Sequence, residues 1–296
     1  MKRSSRSQHL ATTCRVLTCL SLLLAGVLTC TAQAAEKPRK KDISTIKVPG
    51  LKDGIRMIGL RGGDFVVSAD NRERCGTNTR PAHQVTLKPF ALASTEVSFD
   101  LWDLCVAKGG CSHSPESPGW GRGAYPVIDV SHEDAEQLIA WLNRTTERHF
   151  RLPTADEWEY AARTGRGIED IPAAASDPAK VSFKASSLSK NPMDWHTSFQ
   201  SAVPVGSLPA NAWGLHEMAG NVWEWTSDCG CDHGPTEASA SSSPYAPGCD
   251  LRLVRGGSYT SNADSAIPVS RMQFWTWFRA GFIGFRLAED WSPGKK

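Results

Sequence analysis

The feature that most restricts what this chain can fold into is the amount of it that carries no secondary-structure signal. Residues 164–210 and 230–250 are rich in Gly, Pro, Ser and Ala and contain few apolar runs. Compact domains seldom carry so much irregular chain, because buried loop backbone must find hydrogen-bond partners. Something has to hold these loops in place. Cross-links, a bound ion and large aromatics are the candidates, and the sequence has parts for each: nine cysteines, eleven tryptophans and a carboxylate-bearing turn near residue 220. There is no internal repeat and no second domain boundary.

Residues 1–34 read as a secretory signal. Lys2, Arg3, Arg6 and Arg15 give a basic start, Val16 to Leu28 is an apolar run, and Ala32-Gln33-Ala34 is a small-x-small cleavage pattern. The run is too short to span a bilayer comfortably, and no other stretch approaches the roughly 20 apolar residues required. A retained anchor is the alternative; lipidation at Cys30 is disfavoured because Val27-Leu28-Thr29 lacks the usual small residue. The expected location is periplasmic or secreted, with no membrane span after signal removal. Residues 35–54 read as a flexible leader, and 55–291 as one domain within the size range of a single core. With 33 basic and 31 acidic residues interspersed, net charge is only +2, which excludes a polyanion-binding composition; no nucleic-acid partner is expected.

Cys14, Cys19 and Cys30 leave with the signal, and Cys75, Cys105, Cys111, Cys229, Cys231 and Cys249 remain. An even number in an exported chain favours disulfides. Cys105–Cys111 is favoured because Val-Ala-Lys-Gly-Gly can turn tightly between them. Cys229–Cys249 would staple the intervening loop, leaving Cys75 with Cys231. The competing possibility is a soft-metal site at Cys229-Gly-Cys231-Asp-His233, whose cysteine spacing is too short for a structural zinc knuckle.

Two helices are well signalled. Ser131 can cap one, with Glu133 and Asp134 in its first turn and Ala135, Leu138, Ile139 and Leu142 forming a stripe. Thr154-Ala-Asp-Glu157 is a capping box leading into Trp158, Ala161 and Ala162. Strand-like segments precede both, at Pro126 to Val130 and His149 to Leu152. Arg56 to Val67 suggests a strand and turn, and Gln84 to Phe90 another strand.

A set of ordered segments then carries a family resemblance. They are Gly62-Gly-Asp-Phe65, Thr95-Glu-Val97, Pro126-Val127 with Val130-Ser131, Arg151-Leu-Pro-Thr154 with Glu157-Trp-Glu-Tyr-Ala-Ala-Arg163, and Pro204-Val-Gly206. The strongest are Gly214-Leu-His-Glu-Met-Ala-Gly-Asn-Val-Trp-Glu-Trp225, Arg255-Gly-Gly-Ser-Tyr259 and Gly284-Phe-Arg286. In this order the chain resembles the formylglycine-generating enzymes, also called the sulfatase-modifying factor domain. The resemblance implies one α+β domain with a C-type-lectin-like fold, little regular secondary structure and long ordered loops. Trp158, Trp223 and Trp225 are then expected in the core.

The resemblance also implies a structural Ca²⁺ held by Glu217 and Glu224 with the carbonyls of Gly220 and Val222. The turn itself supports a hard cation, since two carboxylates flanking a Gly-Asn bend can converge with several carbonyls. The alternative is that Glu224 merely caps backbone amides. A second calcium site of the family, nearer 181–200, is not recognisable, since Ser182 stands where an Asn is expected.

The family's oxidases use Cu(I) bound by two thiolates just after the Gly-Gly-Ser motif. Here those positions hold Ser261 and Ala266, and no cysteine follows Cys249. A hydroxyl and a methyl cannot replace soft sulfur ligands, so no copper and no formylglycine generation are expected. The scattered histidines form no facial-triad pattern, and no nucleophile elbow or phosphate loop is present. What the resemblance leaves is a groove near Trp223, Arg255, Ser258, Ser261, Asn262 and Arg271, with Asp264 also able to supply charge. In Phe274-Trp-Thr-Trp-Phe278, a strand would turn Phe274, Thr276 and Phe278 one way and both tryptophans the other. Burial of both faces is the simpler expectation, and one exposed binding face the alternative. Three functions remain. The first is an exported maturation factor similar to the copper-cysteine-lacking members required for pyoverdine maturation, acting on a peptide, siderophore precursor or protein partner in the cell envelope. The second is a non-catalytic lectin-like module for a peptide, glycan or protein. The third is an oxidoreductase with an unrecognised cofactor.

Overall fold

The structure, a computed structural model, describes residues 36–68, 82–116, 119–166, 201–230, 249–261 and 267–294. The signal segment, Cys75, Cys231, Asn262, Asp264 and Ala266 lie outside the described residues.

Both signalled helices begin where their caps predict. At α2, His132–Thr146, the Asp134 N–H donates to Ser131 Oγ at 3.1 Å and the Ser131 N–H donates back to Asp134 Oδ2 at 2.8 Å. Its stripe of Ala135, Leu138, Ile139 and Leu142 is buried, joined by Trp141. At α3, Ala155–Ala162, Thr154 and Glu157 make the same reciprocal pair, and Trp158, Tyr160 and Ala161 are buried. A third helix, α1 at Phe99–Ala107, carries no sequence signal. Phe99, Leu101, Trp102, Leu104, Cys105 and Val106 are apolar nearly all round, so no helical period stands out. The Cys105–Cys111 disulfide ties the end of this helix to the chain that follows.

Eleven short strands make three sheets among the described residues. The first is antiparallel throughout, in the order β1 (Ile43–Ile46), β2 (Ile55–Leu60), β5 (Phe90–Ala93), β11 (Ala288–Asp290), β6 (Phe150–Arg151). The second has the order β10 (Ile283–Phe285), β7 (Trp223–Cys229), β8 (Leu251–Arg255), β9 (Arg271–Trp275), with β10 and β7 parallel. The hairpin β3 (Gly63–Val67) with β4 (His83–Leu87) is the third.

Three expectations are corrected. The segment 35–54 is not a flexible leader throughout: Ile43 to Ile46 pair with Ile58 to Ile55, and Val48 is buried. Its apolar residues alternate too sparsely among charges to announce an edge strand. The stretch Gln84 to Phe90 is two strands, broken at Lys88-Pro89, where proline has no N–H for the ladder. Pro126 to Val130 is not a strand; it contributes one isolated bridge, Pro126 to Ser98.

Two apolar clusters form. One gathers α1, α2 and the start of β7 around Trp102, which meets Phe285 edge-on at 6.3 Å. The other joins α3 to β2, β3 and β5 around Trp158, Tyr160 and Trp213. Trp158, Trp223 and Trp225 are all core residues, as expected. Gly256, with φ +99°, lets β8 turn against α3: a Cβ there would lie 2.9 Å from the Trp158 ring.

Candidate functional site

The turn that precedes β7 holds the described part of the irregular chain, residues 203–208. Glu217 and Asn221 both adopt positive φ, which turns their side chains back toward the segment 203–208. The Glu217 carboxylate accepts the N–H groups of Gly206 at 2.9 Å and Leu208 at 3.0 Å. Asn221 Oδ1 accepts the Val203 N–H at 2.9 Å. A stretch of chain without secondary structure therefore has its amides satisfied by side chains of the turn. At the other end of β8, the Cys229–Cys249 disulfide closes the loop as expected, while the Cys75–Cys231 pairing falls outside the described residues.

Glu224 sits at the centre of the same region and is fully buried. Both of its oxygens accept from Arg286 at 2.6 Å, and Oε2 also accepts Trp158 Nε1–H at 2.7 Å. Arg286, itself sealed from solvent, donates further to the carbonyls of Ala93 and His216. One ion pair thus joins β5, β7, α3, the turn and the segment after β10. Glu96 completes the group. It is buried, its Oε1 accepts Asn221 Nδ2–H at 2.9 Å, and its Oε2 has no hydrogen-bond partner. Burial pushes this carboxyl well above its ordinary range, with Glu217 and Glu224 adding to the rise and Arg286 opposing it.

This arrangement bears on the expected calcium. No three His, Cys, Asp or Glu side chains among the described residues converge closely enough to hold a metal by themselves. Glu217 and Glu224 are each engaged by protein donors, so as a carboxylate pair they do not form the ligand set. Around Arg286 the three glutamates are met differently: Glu224 by the guanidinium, Glu217 by two backbone amides, and Glu96 by burial that favours its neutral form. An ion at this turn would be held by carbonyls such as those of Gly220 and Val222, with Glu217 or Glu224 released from its present donors. A bound Ca²⁺ would add positive charge and oxygen coordination to the turn.

Ser261, which the resemblance sets at the family's first copper-thiolate position, turns its hydroxyl inward. Ser261 Oγ accepts the Ser258 N–H at 3.0 Å, and Ser258 Oγ lies 2.8 Å from Thr260 Oγ1. Both serines are buried. The two hydroxyls close a local turn and offer hard oxygen where Cu(I) requires sulfur.

The remaining groove residues are placed as follows. Trp223 and Arg255 are almost fully enclosed, so neither side chain can touch a ligand in this conformation. Arg255 is paired with Glu159, which also pairs with Arg163 and accepts the N–H and hydroxyl of Ser68; Arg271 lies 3.6 Å from the same carboxylate. Burial raises the Glu159 pKa, but the arginines and Ser68 outweigh it, and the net shift is downward. Arg255, expected at a groove, is therefore a buried structural cation, while Arg271 lies half-buried at the edge of the same network. Asn262 is outside the described residues.

The exposed chemistry lies elsewhere. Phe274 and Phe278 stack with centroids 4.8 Å apart and are half-buried, while Trp275 and Trp277 lie nearly parallel at 6.4 Å. Trp275 is 41% and Trp277 60% exposed. The alternation expected of a strand is present, but burial on both faces is not: the tryptophan face is open. The strand ends at Trp275, and residues 276–278 continue as a turn with the same facing.

Sequence reasoning did not single out Glu96, Glu159 or Arg286 as site residues, although each lies in a quoted motif. The available signal was a charge embedded in apolar chain, as in Ser94-Thr-Glu-Val97, which demands a buried partner.

These features, short strands in curled sheets around a glycine-rich turn with a buried Glu–Arg clamp, define an α+β protein of the formylglycine-generating fold class. The chain belongs to the sulfatase-modifying factor enzyme 1-like domain family, which matches residues 46–291. It is 33% identical over 201 residues to the formylglycine-generating enzyme of Mus musculus, covering 65% of this chain and 52% of that protein. The chain thus spans about half the length of that curated relative. It is also 33% identical over 258 residues to the mouse inactive C-alpha-formylglycine-generating enzyme 2, covering 71% and 76% of the two chains. Among solved structures, PvdO from Pseudomonas aeruginosa matches with TM-score 0.63 and 26% identity, covering 87% of this chain and all of that one. Treponema denticola variable protein 1, at TM-score 0.63, 20% identity and coverage of 83% and 98%, shares the fold alone.

Proposed function

We propose that this protein is an exported, sulfatase-modifying-factor-like maturation factor without formylglycine-generating activity, acting on a secreted peptide or siderophore-type product. The observation that carries this is Ser261, set by the family resemblance at a copper-thiolate position, whose hydroxyl is spent on the Ser258 amide. Similarity to PvdO over most of the chain, and to an inactive formylglycine-generating enzyme, supports a member of the family outside its oxidase branch. Export rests on the basic, apolar and small-x-small segments of residues 1–34. Calcium at the turn before β7 serves the scaffold, holding loops rather than reacting.

A second reading is favoured by the open tryptophan face. Trp275 and Trp277 present two nearly parallel indoles, suited to a non-catalytic module that binds a peptide, glycan or protein by stacking and apolar contact. One experiment separates the two. A deletion strain of the producing organism is profiled by mass spectrometry for secreted peptides and siderophores, then complemented with the wild type or with Trp275→Ala/Trp277→Ala. Accumulation of an immature product, cured by the wild type, supports the maturation factor. An unchanged product profile overturns it and leaves the binding module.

A further inference from the structure

From the geometry we infer that the Cys229–Cys249 disulfide is an exchangeable one, able to take two electrons from a substrate dithiol. This activity stands apart from the maturation role above and does not depend on it.

The inference begins with access. The two disulfides among the described residues differ in burial. Cys105 is 0% and Cys111 5% exposed, both in the core around α1, whereas Cys229 and Cys249 are each half-buried. Exchange requires a thiolate to reach a disulfide sulfur, so a pair sealed in the core is inert and a pair open to solvent can react.

The second observation is a cation set against one sulfur. Strand register places Arg252 of β8 opposite Cys229 of β7, and its Nη1–H points at Cys229 Sγ at 3.6 Å. The same nitrogen donates to the Ser227 carbonyl at 2.6 Å, which fixes the guanidinium beside the sulfur. A guanidinium keeps its charge at any physiological pH, and a cation beside a thiol favours the thiolate and makes it the better leaving group. The adjoining carboxylate, Asp228, is engaged on α3, where it accepts the Ala155 N–H at 2.6 Å.

The third concerns the other sulfur. Cys249 Sγ lies 2.9 Å from the Leu251 carbonyl oxygen. A disulfide sulfur has no proton to donate, so this contact becomes a hydrogen bond only when Cys249 is a thiol. Each sulfur thus has a neighbour that favours the reduced state: a cation for a thiolate at Cys229 and an acceptor for a thiol at Cys249. Stabilising the reduced form makes a disulfide more oxidising.

The order of events follows. A substrate thiolate attacks Cys249 Sγ, a mixed disulfide forms, and the Cys229–Cys249 bond breaks with its electron pair leaving on Cys229 beside Arg252. The substrate's second thiol gives up its proton and attacks the substrate sulfur of the mixed disulfide. Cys249 is released, takes up a proton and donates its S–H to the Leu251 carbonyl. The substrate dithiol is oxidised to a disulfide by loss of two electrons, and the protein's disulfide is reduced to one thiolate and one thiol.

The test equilibrates the purified protein in glutathione buffers of graded ratio, quenches, alkylates and reads each cysteine by peptide mass spectrometry. Cys229 and Cys249 are expected to open at a reduced-to-oxidised ratio at least about tenfold lower than Cys105 and Cys111. Arg252→Gln is expected to shift that equilibrium back toward the disulfide by about tenfold, equal to about 30 mV, and Arg252→Lys, which keeps the charge, to recover most of it. Single variants give a readout with Arg252 intact: Cys229 in Cys249→Ser is expected to alkylate at least about threefold faster at pH 7 than Cys249 in Cys229→Ser. Parallel arms offer one equivalent of dithiothreitol or of a peptide with two cysteines. Oxidation of the peptide supports exchange with polypeptides, and oxidation of dithiothreitol alone supports exchange with small dithiols. Opening of both protein disulfides at the same ratio, or only in denaturant, would overturn the inference. An unshifted equilibrium in folded Arg252→Gln, or equal alkylation of the two single variants, would overturn Cys229 as the leaving thiolate.

Discussion

At the scale of single residues, this protein is stabilised by charges in places where charge is costly. Glu224 and Arg286 are both sealed from solvent and joined by paired hydrogen bonds. Removing one partner leaves the other buried and uncompensated, so Arg286→Met should destabilise by about 3–5 kcal/mol in urea unfolding. A change under 1 kcal/mol would show that the pair contributes little. His132 is a second case. It packs edge-on against Trp225 at 5.9 Å, and burial, assisted by Arg252, depresses its pKa to about 3. The sign follows: the unfolded chain takes up a proton near pH 6.5 that the folded chain refuses, so this stability is present above pH 6.5 and lost as pH falls toward 3. Between pH 6.5 and 4 the loss amounts to about 3 kcal/mol at most. His132→Gln should flatten that part of the stability profile; a wild-type slope in the variant would contradict the assignment. Little of this was legible beforehand. Glu224 and Arg286 could be picked out by motif, but their pairing depends on β10 lying parallel to β7, a long-range contact that local pattern does not encode.

At the scale of elements, the sequence spoke most clearly through end signals. The capping boxes of α2 and α3 could be read because each is a local exchange between a side chain and an amide three residues away. Ser131→Ala should therefore cost about 1 kcal/mol, measured by chemical denaturation, and Ser131→Asp should recover most of it. An undiminished stability in Ser131→Ala would mean the cap is replaced by another donor–acceptor pair. Helix α1 and strand β1 were missed for opposite reasons: α1 is apolar on nearly every side, and β1 is too polar and short to stand out. Both form because tertiary burial overrides weak local preference. In Phe274 to Phe278 the facing of side chains was legible from strand alternation, but which face meets water depends on what packs there. Phe274 has Trp225 and Phe282 to pack on and Phe278 stacks on Phe274, while the tryptophans stand clear.

At the scale of the whole molecule, the described irregular chain at 203–208 is held by one polar hub, and Cys229 is cross-linked to Cys249. The Cys229–Cys249 disulfide closes a separation of 20 residues, and on chain entropy its removal should cost about 3 kcal/mol. Cys229→Ser/Cys249→Ser is accordingly expected to lower Tm by several degrees, and an unchanged Tm would show that the cross-link contributes little to stability. The hub at Glu217, Asn221 and Glu224 takes over the work that a longer sheet or helix would do, by satisfying amides of the 203–208 segment. The same scaffold carries Ser261 where the resemblance sets a copper thiolate of the family's oxidases, and on this the proposal of a non-oxidase member rests. The most direct test is to incubate the purified chain with Cu(I), oxygen and a cysteine-containing sulfatase-type peptide, following the peptide by mass spectrometry and copper by competition with a chromogenic chelator. The expected result is an intact cysteine and copper surrendered to the chelator. Conversion of the cysteine to formylglycine, with copper retained by the protein, would contradict the account at its centre.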